Sequence, residues 1–327
     1  MLGDSFEIGV DGGLLRGAVV GRGEAVLLLH GGPGLPWTHM QALVDEICDG
    51  YRVAVYQQRG LPPSTAAGPF DVPTQVADVV AVLDGLGWDR AVVIGHSWGG
   101  HLLLHLLAAH PERVAAAIVI DPLGGVGDGG EAQFEAELNR RTPPESVEWA
   151  QELDQRAMDG QGTEADAVES LRLYWPAYFA NPAAAPPFPD MQLSVEAYSA
   201  TFESLHTELP ALAGRLVALA VPTLFVHGAG SPMPVAASTD TAQAIGPAAA
   251  VQVIDGAGHF VWLERPGVVR DALDRLRLKT TYSDPTVDHW PHIRVEQLRC
   301  GFALGERRDQ PQPDGPDVRT LQEVRGT

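Results

Sequence analysis

The chain has 327 residues, 45% of them hydrophobic and 20% charged, and no apolar run approaches the roughly 20 residues that cross a bilayer. That argues against a membrane-spanning protein and for one large α/β body carrying an insertion. The 42 acidic against 22 basic residues leave a formal net charge of −20, which repels nucleic-acid phosphates and anionic lipid; the partner expected is a small-molecule substrate, with no nucleic acid and no membrane. The opening Met1 to Glu7 has neither the basic nor the apolar segment of a secretory signal, so the expected location is cytoplasmic. Two distant cysteines, Cys48 and Cys300, suggest no disulfide framework and no metal site, and no cofactor is expected.

Along the chain, Phe6 to Val10 and Leu14 to Val20 flank Asp11-Gly12-Gly13 and read as an antiparallel edge hairpin. Short apolar runs follow at 25–29, 51–56, 91–94 and 115–120, the pattern of buried parallel strands. Between them, Thr74 to Leu86 and Gly99 to His110 have helical spacing, the second ending before Pro111. After Asp121 the alternation stops. Gly124 to Gly130 is a glycine-rich loop, Phe134 to Met158 reads as helix, and Asn181 to Pro189 is too rich in Pro and Ala for either regular element. Strands resume at 223–226 and 250–254, and a last amphipathic helix covers 264–278.

Eight strands alternating with helices predict a doubly wound, mostly parallel sheet with helices on both faces. The expected division is a core of residues 1–121 and 217–278, an inserted helical lid of residues 122–216, and a polar, proline-bearing tail of residues 279–327 that is disordered or loosely attached.

Three motifs carry chemistry. Gly95-His96-Ser97-Trp98-Gly99 lies between a predicted strand and a predicted helix, the setting of a nucleophile elbow. Its glycines leave room for a sharp turn that presents the Ser97 hydroxyl at the carboxyl end of the sheet. A serine hydroxyl is a weak nucleophile and needs a base. His259, in Gly256-Ala257-Gly258-His259-Phe260 after the last predicted strand, is placed to serve. His30-Gly31-Gly32-Pro33-Gly34 follows the strand at 25–29 and offers an exposed N–H to a substrate oxygen, so Gly32 and Trp98 are assigned as the oxyanion hole. His101 and His105 share a helix face without the glutamate of a zinc motif.

With Gln58-Arg59-Gly60, these motifs resemble the α/β-hydrolase superfamily over roughly residues 1–278, nearest to its proline iminopeptidase branch. That branch reads HGGPG, DQRGxGxS and GGSWG; here Gln57 stands in place of aspartate, Pro62 in place of glycine and His96 in place of glycine. The resemblance implies an α/β-hydrolase fold with a Ser-His-acid triad. It puts the acid in a stretch resembling G-x-x-D, where this chain has Gly228-Ala229-Gly230-Ser231. Some members supply the acid from an earlier strand end, which selects Asp121, ahead of Asp128 and Asp240; Asp255 is too near His259 in sequence.

The resemblance also implies lid glutamates that bind a free amino terminus, for which Glu203 and Glu208 are stand-ins. The lid aromatics Trp149, Tyr174, Trp175, Tyr178, Phe179 and Phe188 either line a pocket over Ser97 or form the lid's own core. The function expected is a serine hydrolase acting on a small ester, lactone or amide through an acyl-enzyme on Ser97. The alternatives are a proline iminopeptidase-type aminopeptidase, and a non-hydrolytic receptor or lyase on the same fold.

Overall fold

A computed structural model describes residues 3–159 and 161–281. Eight strands form one sheet: β1 (Asp4–Val10), β2 (Gly13–Gly21), β3 (Glu24–Leu29), β4 (Tyr51–Tyr56), β5 (Ala91–His96), β6 (Val114–Ile120), β7 (Thr223–Gly228) and β8 (Ala249–Ile254). Their spatial order is β1-β2-β4-β3-β5-β6-β7-β8. The β1–β2 and β2–β4 pairs are antiparallel, and every other pair is parallel. The hairpin and all six later strands lie where the residue pattern put them. They do so because the inner strands, such as Leu27-Leu28-Leu29 and Val92-Val93-Ile94, are buried on both faces, a condition only continuous apolar runs satisfy.

Alternate residues feed two cores, one on each side of the sheet. Leu27, Leu29 and Val93 point toward α2 (Val72–Gly85), α3 (Trp98–Ala109), α7 (Val195–Leu216) and α8 (Val235–Ile245). Val26, Leu28 and Ile94 point toward α1 (Gln41–Ile47), α9 (Val261–Glu264) and α10 (Val268–Thr281). From β3 the chain passes outward to β4 on one side and later to β5 on the other. The loops after β3 and β5 therefore open side by side at the topological switch point, where open α/β sheets bind ligands. Leu29 pairs with Gly95 there.

Between β6 and β7 run α4 (Glu131–Arg141), α5 (Pro144–Met158), α6 (Glu164–Tyr174) and α7. The single helix expected over 134–158 is two helices. Thr142 is extended, at φ −94 and ψ 140, because a residue before proline is driven from the helical region, and Pro143-Pro144 then restarts the chain. The last helix begins at Val268 rather than 264, after the short turn α9. Of the expected tail, residues 282–327 lie outside the described residues.

Glycine is obligatory where α3 meets the sheet. A Cβ on Gly99 would run into the main-chain carbonyls of Leu29 and His30, and one on Gly95 into the carbonyl of Gly99. Gly214, inside α7, has open space around it. Gly99→Ala is expected to cost at least about 3 kcal/mol because backbone must move, while Gly214→Ala stabilises by roughly 0.4–1 kcal/mol through reduced unfolded-state entropy; urea unfolding of the two variants beside the parent checks both signs.

Candidate active site

Ser97 sits in the one-residue turn between β5 and α3, at φ 53 and ψ −118. A non-glycine residue held there stores strain on the order of 1–3 kcal/mol. The turn is held because the Ser97 N–H donates to the Ile120 carbonyl at 2.9 Å and its own carbonyl accepts the His101 N–H at 3.0 Å. Ser97 is half-buried, whereas its neighbours His96 and Trp98 are buried. Trp98 opens α3, so its N–H has no intrahelical acceptor and the positive end of the helix dipole lies at the serine.

The loop 30–34 lies directly against this turn: a Cβ on Gly31 would fall 3.1 Å from the Ser97 Cβ. Gly32 is in the left-handed region at φ 64. Two glutamines brace the loop. The Gln58 N–H donates to His30 Nε2 at 3.1 Å, its side-chain amide donates to the His30 carbonyl at 2.9 Å, and its Oε1 accepts the Trp98 indole N–H at 2.9 Å. Gln57 donates to the Leu35 carbonyl at 3.0 Å. Burial, reinforced by nearby His39, lowers the His30 imidazole to about 3; it is a neutral strut whose Nδ1–H donates to the Gly31 carbonyl.

Asp121 ends β6 one strand over, fully buried and at φ 44. Its N–H donates to the Val226 carbonyl at 3.0 Å. Its Oδ1 accepts His259 Nδ1–H at 2.9 Å and the Ser231 hydroxyl at 2.6 Å, and its Oδ2 accepts the Gly228 N–H at 2.9 Å. Burial pushes this carboxyl upward, but the nearby His227 and the hydrogen bonds from His259 and Ser231 outweigh it and hold the group below the usual carboxylate range. With Nδ1–H given to the carboxylate, the His259 Nε2 is the ring nitrogen left as a base.

His259 is buried on the loop after β8, and its N–H donates to the Tyr178 carbonyl at 2.8 Å. Glu264 closes the same loop by accepting the N–H groups of Gly258 at 2.6 Å and Ala180 at 3.0 Å. Phe134 and Tyr178 stand over the imidazole, with ring centroids 6.0 and 5.3 Å away.

The structure thus brings Asp121 and His259 into contact and sets the loop of Gly32 against Ser97. The other carboxylates considered do different work. Asp128 is exposed and caps the backbone at Gly130 and Ala132, while Asp240 and Asp255 are exposed. Glu208 pairs with Arg215, and Glu203 lines a surface groove with Asp71 and Glu196. Of the aromatics, Trp175 and Phe179 are built into the core beside Phe260, Tyr174 bonds Asn139, and Trp149 lies under Arg156. Gln58, Ser231 and Glu264 were not singled out as partners from sequence. Gln58 carries a signal in its place beside the Arg59-Gly60 pair and Ser231 in its place at the acid's usual position, while Glu264 carries none. His101 and His105 bond each other in the interior at 3.2 Å, and among the described residues no group of three ligand-type side chains is arranged for a metal ion.

The fold and site together are a mostly parallel α/β sheet with a strained serine at its switch point and a histidine-carboxylate pair at the same edge. A family model described as the alpha/beta hydrolase fold matches residues 24–266, and the chain belongs to that family. It is 29% identical over 318 residues to Epoxide hydrolase A of Mycobacterium tuberculosis, a match covering 81% of this chain and 94% of that one. Among solved structures, the proline iminopeptidase of Mycobacterium smegmatis shares the fold with a TM-score of 0.59 at 20% identity, covering 86% of this chain and 100% of that chain. An N-acyl homoserine lactone degrading enzyme shares it with a TM-score of 0.55 at 23% identity, covering 83% and 99%. The family and the Mycobacterium tuberculosis relative support a hydrolase of this fold, and the two solved structures show the fold. Among the described residues no helix is long and apolar enough to cross a membrane.

Because the Asp121 carboxyl is held below its ordinary value, its contribution to stability is present above the unfolded value of about 3.9 and is lost as pH falls through the lower folded value. Asp121→Asn should therefore be less stable than the parent at pH 7, by about 2 kcal/mol for hydrogen bonds to a charged group. The gap should narrow below about pH 3.9. Urea midpoints at pH 7 and pH 3 read it, and a gap unchanged by pH would contradict the assignment.

Proposed function

We propose that the protein is a serine hydrolase that cleaves a small ester, lactone or amide through an acyl-enzyme on Ser97. The observation that carries this reading is the 2.9 Å contact of His259 Nδ1 with buried Asp121, which orients a base on the same sheet edge as a strained serine. His259 Nε2 takes the Ser97 proton, Oγ attacks the carbonyl carbon, and the N–H groups of Gly32 and Trp98 hold the oxyanion. The leaving alcohol or amine departs with the proton from His259. Water, deprotonated by the same imidazole, then releases the acid and restores Ser97.

Residues 122–216 serve as the lid, with Phe134 and Tyr178 forming an apolar wall beside the base. An epoxide is disfavoured on chemical grounds. Attack of a serine alkoxide on an epoxide carbon leaves an alkyl ether, which has no carbonyl for water to add to, so the enzyme would stall after one turnover. The aminopeptidase reading loses support because Glu208 is engaged by Arg215 and Glu203 faces a different groove. A serine at 231, in the acid's usual place, is what would favour a receptor, and the Asp121 carboxylate against His259 answers it.

The test is turnover of p-nitrophenyl acetate and butyrate, proline p-nitroanilide and styrene oxide by the parent, Ser97→Ala and Asp121→Asn, with fluorophosphonate labelling alongside. Ester hydrolysis with burst kinetics is expected, falling by about 10³-fold or more in Ser97→Ala and Asp121→Asn. A parent that takes no label and turns over none of the four substrates would overturn the reading.

A further inference from the structure

The nucleophile and the base hang from strands that are not neighbours. β5 and β8 are separated in the sheet by β6 and β7, so backbone pairing links Ser97 to the His259 loop only through two intervening strands. Direct ties across the sheet's carboxyl edge add to that indirect link. Asp121 holds the His259 ring, and Tyr178 holds its N–H, but neither of these belongs to the elbow.

His96 does. It is the last residue of β5, immediately before Ser97, and is 1% exposed. Its Nε2 lies 3.0 Å from the main-chain carbonyl of His259. A carbonyl only accepts, so Nε2 carries the proton and Nδ1 the lone pair. Nδ1 is buried without a hydrogen-bond partner among the described residues. It faces the third motif, since a Cβ on Gly31 would fall 2.7 Å from it. The ring is wedged 4.7 Å from His259, 4.7 Å from Trp262 and 5.2 Å from Phe260. His39 lies on its other side at 5.9 Å. Burial, with neighbouring His259, His39 and His30, holds its imidazole well below the ordinary value, so it stays a neutral donor. One side chain thus touches the elbow, the base loop and the loop of Gly31, and it stands where the resembling branch has glycine.

We infer that His96 is a positioning residue that sets the reach of the His259 imidazole toward Ser97 by donating Nε2–H to the His259 carbonyl. The inference rests on the serine-hydrolase reading for its catalytic consequence, but the placement of His259 is measurable without turnover. In His96→Gln the side-chain amide extends as far as Nε2 and keeps an N–H to donate. In His96→Leu the volume is kept and the donor is lost. His96→Asn ends one bond short and replaces the leucine variant if that one does not fold.

The experiment is nitrogen-15 NMR of histidine-labelled protein, following the His259 titration and its Nδ1–H signal. Alongside it, kcat per active site is counted by fluorophosphonate titration. In His96→Leu the His259 titration midpoint should move, and kcat per titrated site should fall tenfold or more with KM changed by less than about twofold. His96→Gln should recover both most of the way. An unmoved His259 titration in His96→Leu overturns the inference. So does equal impairment of the glutamine and leucine variants with only the melting temperature lowered, which marks simple packing. If the parent takes no label at Ser97, the serine-hydrolase reading falls, while the NMR comparison still decides the role of His96.

Discussion

A carboxylate taken out of water must be surrounded by donors, and the rest of this site is arranged around that requirement at Asp121. The group is fully buried, a position that costs several kcal/mol when left uncompensated. Its two oxygens collect a ring N–H from the loop after β8, a hydroxyl from the loop after β7, and a backbone N–H from the end of β7. One anion therefore ties the end of β6 to the end of β7, the loop after β7 and the loop after β8. The same demand for donors that stabilises the fold also fixes the His259 tautomer. Structural satisfaction and chemical competence are here one set of hydrogen bonds.

This also accounts for Ser231. Two carboxylates within reach of one imidazole could not both be ionised in a buried site, because like charges at such distances repel strongly. With a buried carboxylate already supplied by Asp121 after β6, the position after β7 is better filled by a donor, and the Ser231 hydroxyl donates to the very oxygen that also accepts from His259. Ser231 Oγ in turn accepts the Met233 N–H at 3.1 Å, so the loop is knit to the carboxylate from both directions. A serine in the acid's usual place is a complement to Asp121, not a lesion.

The sheet was legible in the sequence because its inner strands are buried on both faces, and no other arrangement suits runs such as Val92-Val93-Ile94. The elbow was legible because close approach of Gly95 and Gly99 to main-chain carbonyls leaves no other residue type at those positions. Asp121 could be selected as a strand-end carboxylate, but its partners could not. The pairing of residue 121 with 228, 231 and 259 is a consequence of β6, β7 and β8 lying side by side, and nothing local encodes it. Helices α1 and α8 and the break between α4 and α5 were missed for a different reason. The first has only seven residues, the second is built mostly from small Ala, Ser and Thr residues that give little apolar contrast, and across 134–158 an amphipathic pattern runs through Pro143-Pro144, where backbone sterics override it.

The insertion between β6 and β7 is not uniformly separate from the core, and that bears on how a substrate would reach Ser97. Trp175 and Phe179 share a core with Ile254 and Phe260. The Tyr178 carbonyl holds the His259 N–H, and Glu264 holds Ala180. Lifting the whole segment would break the hydrogen bond to the His259 N–H and expose two large aromatic side chains, at a cost of several kcal/mol. Residues 175–180 therefore act as part of the base loop's support. The helix α4 meets the same edge through Arg141, whose guanidinium donates to the carbonyls of Gly230 and Ser231, and through Phe134, whose ring centroid lies 6.0 Å from that of His259. Phe134 also lies against Tyr178, with ring centroids 5.9 Å apart, and the Tyr174 hydroxyl donates to Asn139 Oδ1 at 2.8 Å, so the first helix of the insertion and its 175–180 turn are tied to each other as well as to the loop of His259.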